Sequence, residues 1–208
     1  MDATTALRSG LRVFLRKHGY RARGLRYNKS VGDGLVHVIQ LQIEAEGDPG
    51  MDDRVDLFAV NLGVFIPEVE AFLLGYRLLA GGFVDEAACH IRRRLENPQA
   101  LDDEEWFELR GEPSEVSITV DLLELDGLPF LSRFTSREAL VREWERHGEL
   151  PGLVSGSVWS LWMGIVFAQA GEGERARHCL EEALRGSSSH RPFAEVVRRS
   201  ARRLGIEI

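Results

Sequence analysis

The sequence predicts an α+β protein: an antiparallel sheet of about three or four strands packed by helices, with a helical hairpin as a C-terminal cap. Three observations carry this expectation. Leu35–Glu44 and Arg54–Ile66 read as two long strands joined by a polar loop. Ala3–His18 carries apolar residues at helical spacing, and Val158–Ile208 is helical throughout. The expected organisation is an α+β domain over residues 1–150 and a helical cap over residues 151–208.

In the first helix, Leu7, Leu11, Phe14 and Leu15 follow the i, i+4, i+7, i+8 pattern of a buried stripe, Gly19 suits the C-terminal cap, and Arg8, Arg12 and Arg16 form a solvated ridge. A short strand is expected around Leu25–Lys29, turning at Gly32-Asp33-Gly34 into the long hairpin. Side chains alternate across a strand. Leu35, His37, Ile39, Leu41 and Ile43 therefore share one face, and Val36, Val38, Gln40 and Gln42 the other. In the second strand Phe58, Val60, Leu62, Val64 and Ile66 oppose Leu57, Ala59, Asn61, Gly63 and Phe65. Both faces are largely apolar, so helices or loops are expected over each. The connector Ala45–Asp53, with Gly47-Asp48-Pro49-Gly50, reads as a long mobile loop.

Val69–Leu79 reads as a short helix carrying Phe72, Leu73 and Tyr76, ended by Gly81-Gly82. Ala87–Leu95 fits either a strand or a helix. The strand is favoured, with Cys89, Ile91, Arg93 and Leu95 alternating with His90, Arg92 and Arg94. Asp102–Leu109 reads as an acidic turn or short helix around Trp106 and Phe107. In Glu115–Glu124 the β-branched Val116, Ile118, Thr119 and Val120 pull toward strand, yet Leu122, Leu123 and Leu125 leading into Gly127 fit the end of a helix, which is the reading taken. Thr135 with Glu138 forms a capping box for a helix to about Arg146 that buries Leu140, Val141 and Trp144. Val158–Ala170 is apolar on nearly all sides, hence interior. Glu174–Leu184 and Pro192–Leu204 follow, the latter with Phe193, Val196, Val197 and Leu204 on one side. The first two resemble a single tetratricopeptide-type hairpin. One such unit cannot build a solenoid, so a cap on the sheet or a dimer surface is expected.

At 208 residues, 44% hydrophobic and 28% charged, the chain is long enough for one full core, or for one domain plus a small appendage. No run is long and apolar enough for a membrane span, and the start lacks a basic flank with an apolar segment, so a cytoplasmic protein is expected. Cys89 and Cys179 read as buried thiols. The net charge of −7 disfavours nucleic acid as a partner. The charge is uneven: Arg8 to Lys29 is purely basic and Asp102 to Asp126 strongly acidic, which marks a partner surface or two regions facing each other, within the chain or across a homodimer.

The order of these pieces suggests a family. His18-Gly19-Tyr20 closes a helix, and strands with Tyr27 and Val38-Ile39-Gln40 follow. Then come Phe58-Ala59-Val60-Asn61-Leu62-Gly63-Val64, Cys89-His90-Ile91-Arg92-Arg93-Arg94-Leu95 and Trp106. This resembles the domain-of-unknown-function 4304 family of bacterial proteins over roughly Leu7–Arg146, with Val-Asn-Leu-Gly its most specific piece. Leu41-Gln42 departs from the basic residue and serine expected there. The resemblance implies a small α+β domain and no assigned activity.

If the three strands pair, one face collects Gln40, Gln42, Asn61, His90, Arg92 and Arg94. Gly63 beside them permits close approach by a ligand or a strand. One reading is a polar groove in which Arg92 grips a carboxylate or phosphate; the other is that Gln40 and Asn61 satisfy buried backbone groups beside solvated arginines. Cys89-His90 and His178-Cys179 suggest zinc, but adjacent residues diverge too far to supply two ligands to one ion. A Cys/His nucleophile fails because the strand buries the thiol. The acidic run Asp102–Glu105 suits a helix start, and neither a Walker motif nor a dinucleotide glycine fingerprint is present. No cofactor and no metal are expected. The leading expectation is a non-catalytic protein-interaction or binding module, the alternative a small-anion binder or enzyme using Gln40, Asn61 and Arg92. A deep pocket would favour the second and a filled face the first.

Overall fold

The computed structural model describes residues 2–46, 55–74, 82–98, 106–148, 150–152, 154–187 and 190–208. The expected connector between the long strands, the end of the helix after Pro67 with its Gly81 stop, and the acidic run Asp102–Glu105 lie largely or wholly outside these residues. Backbone contacts divide the chain into two compact units, one of Met1–Phe65 with Leu79–Arg137 and one of Ile66–Leu78 with Glu138–Ile208.

The first unit is built on the long hairpin, β3 (Val36–Glu46) and β4 (Val55–Phe65), in a register that sets Gln40 opposite Asn61 and Val38 opposite Gly63. The sheet is open and antiparallel, in the order β1 (Arg21–Arg23), β2 (Arg26–Ser30), β3, β4, β5 (Ile91–Arg94), with β6 (Phe107–Leu109) also on β4. It thus has six strands among the described residues, where about three or four were expected. The two extra strands, β1 and β6, are three residues long, too short to show a period-two pattern. β1 turns into β2 at Gly24, whose φ of 61° a side chain rarely adopts. Phe107–Leu109 is strand and not acidic helix, because Phe107 pairs with Phe58 and their rings stack at 5.0 Å.

One sheet face carries the main core. Helix α1 (Ala3–Lys17), capped by Asp2 on the Thr5 N–H, buries Leu7, Leu11 and Leu15, while Arg8, Arg12 and Arg16 stay exposed. Two polar groups anchor this layer: the Tyr27 hydroxyl donates to Arg8 O at 3.1 Å, and His37 Nε2 lies 2.9 Å from Phe134 O. Helix α3 (Pro113–Leu122) settles the strand–helix competition in favour of helix. It does not stop at Gly127. A π-helical turn over Leu123–Gly127 carries it into α4 (Leu128–Ser132), since Gly127 has helical angles and sits close to Leu123, Leu62 and Leu95. The turn aims Asp126 at Arg93, which holds it with two hydrogen bonds, one of 2.9 Å, and lies 5.2 Å above the Phe130 ring.

The second unit gathers α2 (Pro67–Leu74), α5 (Arg137–His147), α6 (Gly156–Gln169), α7 (Gly173–Gly186) and α8 (Arg191–Leu204). Helix α5 starts one residue too late for a Thr135 cap. Glu138 pairs with Arg142 instead, and the Arg137 N–H, still in the first unit, donates to Asp33 Oδ2 at 2.8 Å. Helix α6 is buried along Trp159–Phe167 apart from Trp162. Gly164 allows the close approach of Leu180 on α7. Helix α8 buries Ala194, Val197, Ser200 and Ala201, and Val196, expected inside, is exposed. No described helix is long and apolar enough to cross a membrane.

Candidate functional site

The sheet face opposite the main core holds the polar residues singled out from the sequence. Antiparallel partners share a face, so the register aligns Arg26 with Gln40, Gln40 with Asn61, Asn61 with Arg94, and Gly63 with Arg92. Gln40, Gln42, Asn61, Arg92 and Arg94 therefore come together. His90 lies at the far end of the same face. It precedes β5, its ring is 5.6 Å from Phe65, and burial lowers its pKa to about 4.

A segment crossing this face, Gly82–His90, decides its chemistry. Asn28 on β2 clamps the segment through both backbone groups of Val84: its Nδ2 donates to Val84 O at 3.0 Å, and the Val84 N–H donates to its Oδ1 at 2.6 Å. Next, the Glu86 N–H donates to Gln40 Oε1 at 3.1 Å. The buried Glu86 carboxylate then takes Arg92 in a two-pronged pair, from Nε at 2.5 Å and from Nη2 at 2.9 Å. Arg92 does grip a carboxylate, as its position suggested, but one supplied by its own chain six residues earlier. That bond holds the guanidinium's pKa above its ordinary value.

Cys89 corrects the expected strand pattern. A 3₁₀ turn at Glu86–Ala88 precedes it, so the thiol does not join Ile91 and Arg93 on the main-core face. It packs instead over Gly63, where an added Cβ would come within 2.6 Å of its sulfur, and it forms a small second core with Val38, Phe65 and Val84. The space that Gly63 opens is thus taken by Cys89. Burial, reinforced by Glu86, pushes the thiol pKa well above normal against the pull of Arg92, the opposite of a nucleophile's setting.

Along the face, Arg94 donates through Nε to Asn61 Oδ1 at 2.9 Å and through Nη2 to Gln42 Oε1 at 3.1 Å, and its guanidinium lies 4.9 Å from the Trp106 ring centre. Asn61 Nδ2 also donates to Gln42 Oε1, at 3.3 Å, and Gln42 Nε2 donates to Glu44 at 2.7 Å. The predicted residues thus form a mutually bonded patch. Beyond it, on the β1–β2 side, the face is open among the described residues. A groove of about 510 Å³ is lined by Arg23, Gly24, Leu25, Arg26, Gln40, Leu41 and Phe83. Arg26 Nε meets Asp85 there at 2.7 Å, and Arg21 lies 5.8 Å above the Phe83 ring.

Sequence reasoning missed Asn28, Asp85, Glu86 and Arg26. Asp85-Glu86 a few residues before an arginine-rich strand was a signal available in the sequence. Asn28 and Arg26 needed the β2–β3 register, which no local pattern shows.

A family model described as a domain of unknown function, DUF4304, matches residues 11–131, more than half of the chain. No curated protein and no solved structure matches it.

Proposed function

Because the chain belongs to the DUF4304 family, a membership that assigns no activity, we propose its role from its own sheet face: a non-catalytic binding module for another protein. One observation carries this reading. Glu86 engages Arg92, Cys89 fills the space over Gly63, and Gln42, Asn61 and Arg94 bond one another, so the polar face is matched internally. An enzyme acting through Gln40, Asn61 and Arg92 would need these groups turned toward substrate in a pocket. Their partners within the chain weigh against that. A matched, half-buried polar patch flanked by an open groove is suited to a protein surface, where water-excluding contacts surround a few charged anchors.

Affinity capture of the tagged full chain from its native host's lysate tests the reading, with Arg23→Glu/Arg26→Glu and Arg191→Glu/Arg198→Glu variants alongside. A stoichiometric protein held by the wild type supports a module. Its loss in the first variant places the interface on the sheet side, and its loss in the second places it on α8. Recovery of no stoichiometric protein overturns the module reading.

A further inference from the structure

The groove at the open side of the sheet has a chemistry of its own. Arg21, Arg23 and Arg26 share one face of the β1–β2 hairpin, because Arg23 pairs with Arg26 and Arg21 with Asn28. Three guanidinium groups within six residues create a local positive field on a chain whose net charge is −7. Leu25 and Phe83 add apolar lining to the groove, and Gln40 lies beside them with its Oε1 held by the Glu86 N–H. Asp85 already places a carboxylate on Arg26 Nε, with both side chains partly exposed at 42% and 30%. Such a pair is weak in water and exchanges readily for a partner's carboxylate.

We infer that this groove docks an extended acidic segment of a partner protein, with Asp or Glu side chains on Arg23 and Arg26 and an apolar side chain between them over Leu25 and Phe83. The inference rests on the binding-module reading and names the partner's chemistry. Planar guanidinium forks match carboxylates two bonds at a time, which favours peptide acids over diffuse attraction. A nucleic acid fits less well, because a chain with a net charge of −7 repels a long phosphate backbone. An extended acidic segment needs only the local field and also uses Leu25 and Phe83.

The test is fluorescence anisotropy with the full chain and a fluorescein-labelled peptide, Glu-Glu-Leu-Asp-Glu with both ends blocked, against its Gln/Asn counterpart and a twelve-residue oligothymidylate. The acidic peptide should bind, and the amide counterpart should bind at least about tenfold more weakly. Arg23→Glu/Arg26→Glu should weaken the acidic peptide by a similar factor, and Arg191→Glu/Arg198→Glu, with the same charge change on α8, by less than about twofold. Arg23→Glu alone repeats the test without disturbing the Arg26–Asp85 pair, and far-ultraviolet circular dichroism verifies the fold of each variant. Equal loss in both double variants, equal binding of the amide peptide, tighter binding of oligothymidylate, or no binding of the acidic peptide each overturns the assignment. Failure here with a partner still captured in the lysate experiment removes the groove and leaves the module. Failure of capture removes the module itself.

Discussion

At the scale of single residues, the sheet face turns on two positions that sequence reading singled out for other reasons. Gly63 was expected to admit a ligand or a strand; Cys89 occupies that space, with its Sγ 2.6 Å and its Cβ 2.7 Å from where an alanine Cβ would stand. Cys89 is held by bonds on either side of it in the chain, Glu86 to Gln40 before and His90 N–H to Val64 O after, so it has little room to retreat. Gly63→Ala should therefore cost about 1–3 kcal/mol in urea unfolding despite alanine's better fit to a strand. Adding Cys89→Ala should recover part of that loss, since it removes the sulfur and leaves the Cβ. A neutral Gly63→Ala would mean the crossing segment moves freely over the sheet. His90 sets a pH dependence. Its folded pKa, about 4, lies below the roughly 6.5 of an unfolded histidine because burial disfavours the charged ring. The unfolded chain thus binds more protons in between, and stability present above about pH 6.5 is lost as pH falls toward 4. From pH 7 to pH 5 this one group should remove about 2 kcal/mol. Urea midpoints of wild type and His90→Gln at the two pH values check it, and equal slopes would remove His90 as the cause.

At the scale of elements, the crossing of α1 and α3 is set by one small residue. Gly10 faces Val116 so closely that an added Cβ would stand 2.4 Å from a valine methyl. Alanine in mid-helix is favoured over glycine by about 1 kcal/mol, while the clash meets a β-branched side chain with one strongly preferred helical rotamer. The clash should win, with Gly10→Ala destabilising by about 1–2 kcal/mol. In a Val116→Ala background the same substitution should become neutral or stabilising, because only the propensity gain remains. Chemical denaturation of the four proteins of that cycle decides the sign. The contrast also marks what was legible beforehand. Long elements with a strong period, α1, β3, β4 and α6, could be read directly, and so could the face that unites Gln40, Asn61, Arg92 and Arg94, because alternation sorts each strand's side chains and the hairpin brings the strands together. Elements governed by a single tertiary contact could not. β6 exists through Phe58 and Phe107, the π turn through Asp126 on Arg93 and the fit of Gly127, and the filling of the site through Glu86, whose role depends on a turn that reverses the expected side of Cys89.

At the scale of the whole molecule, the chain passes between its two units three times, since Ile66–Leu78 belongs with Glu138–Ile208. This interleaving has a consequence for dissection. The periodicity of the C-terminal stretch predicts a helical cap beginning at residue 151, and α6 to α8 pack on one another. Helix α6, however, is buried on nearly every side, with Trp159, Met163, Ile165 and Val166 all at 0% exposure. Within the second unit α2 also packs on α6, and Trp144 of α5 meets Phe167 edge-on at 6.0 Å. A fragment of residues 151–208 lacks both covers and would expose an apolar stripe along α6. Three helices around an uncovered interior helix should keep helical secondary structure while losing fixed packing. The fragment is expected to show helical far-ultraviolet circular dichroism, to bind a hydrophobic dye strongly, and to unfold without a sharp transition or to self-associate on gel filtration. The intact chain should unfold cooperatively and bind little dye. A monomeric fragment with a sharp thermal transition would show that α7 and α8 alone bury α6 sufficiently, and that α2 and α5 contribute little to its stability.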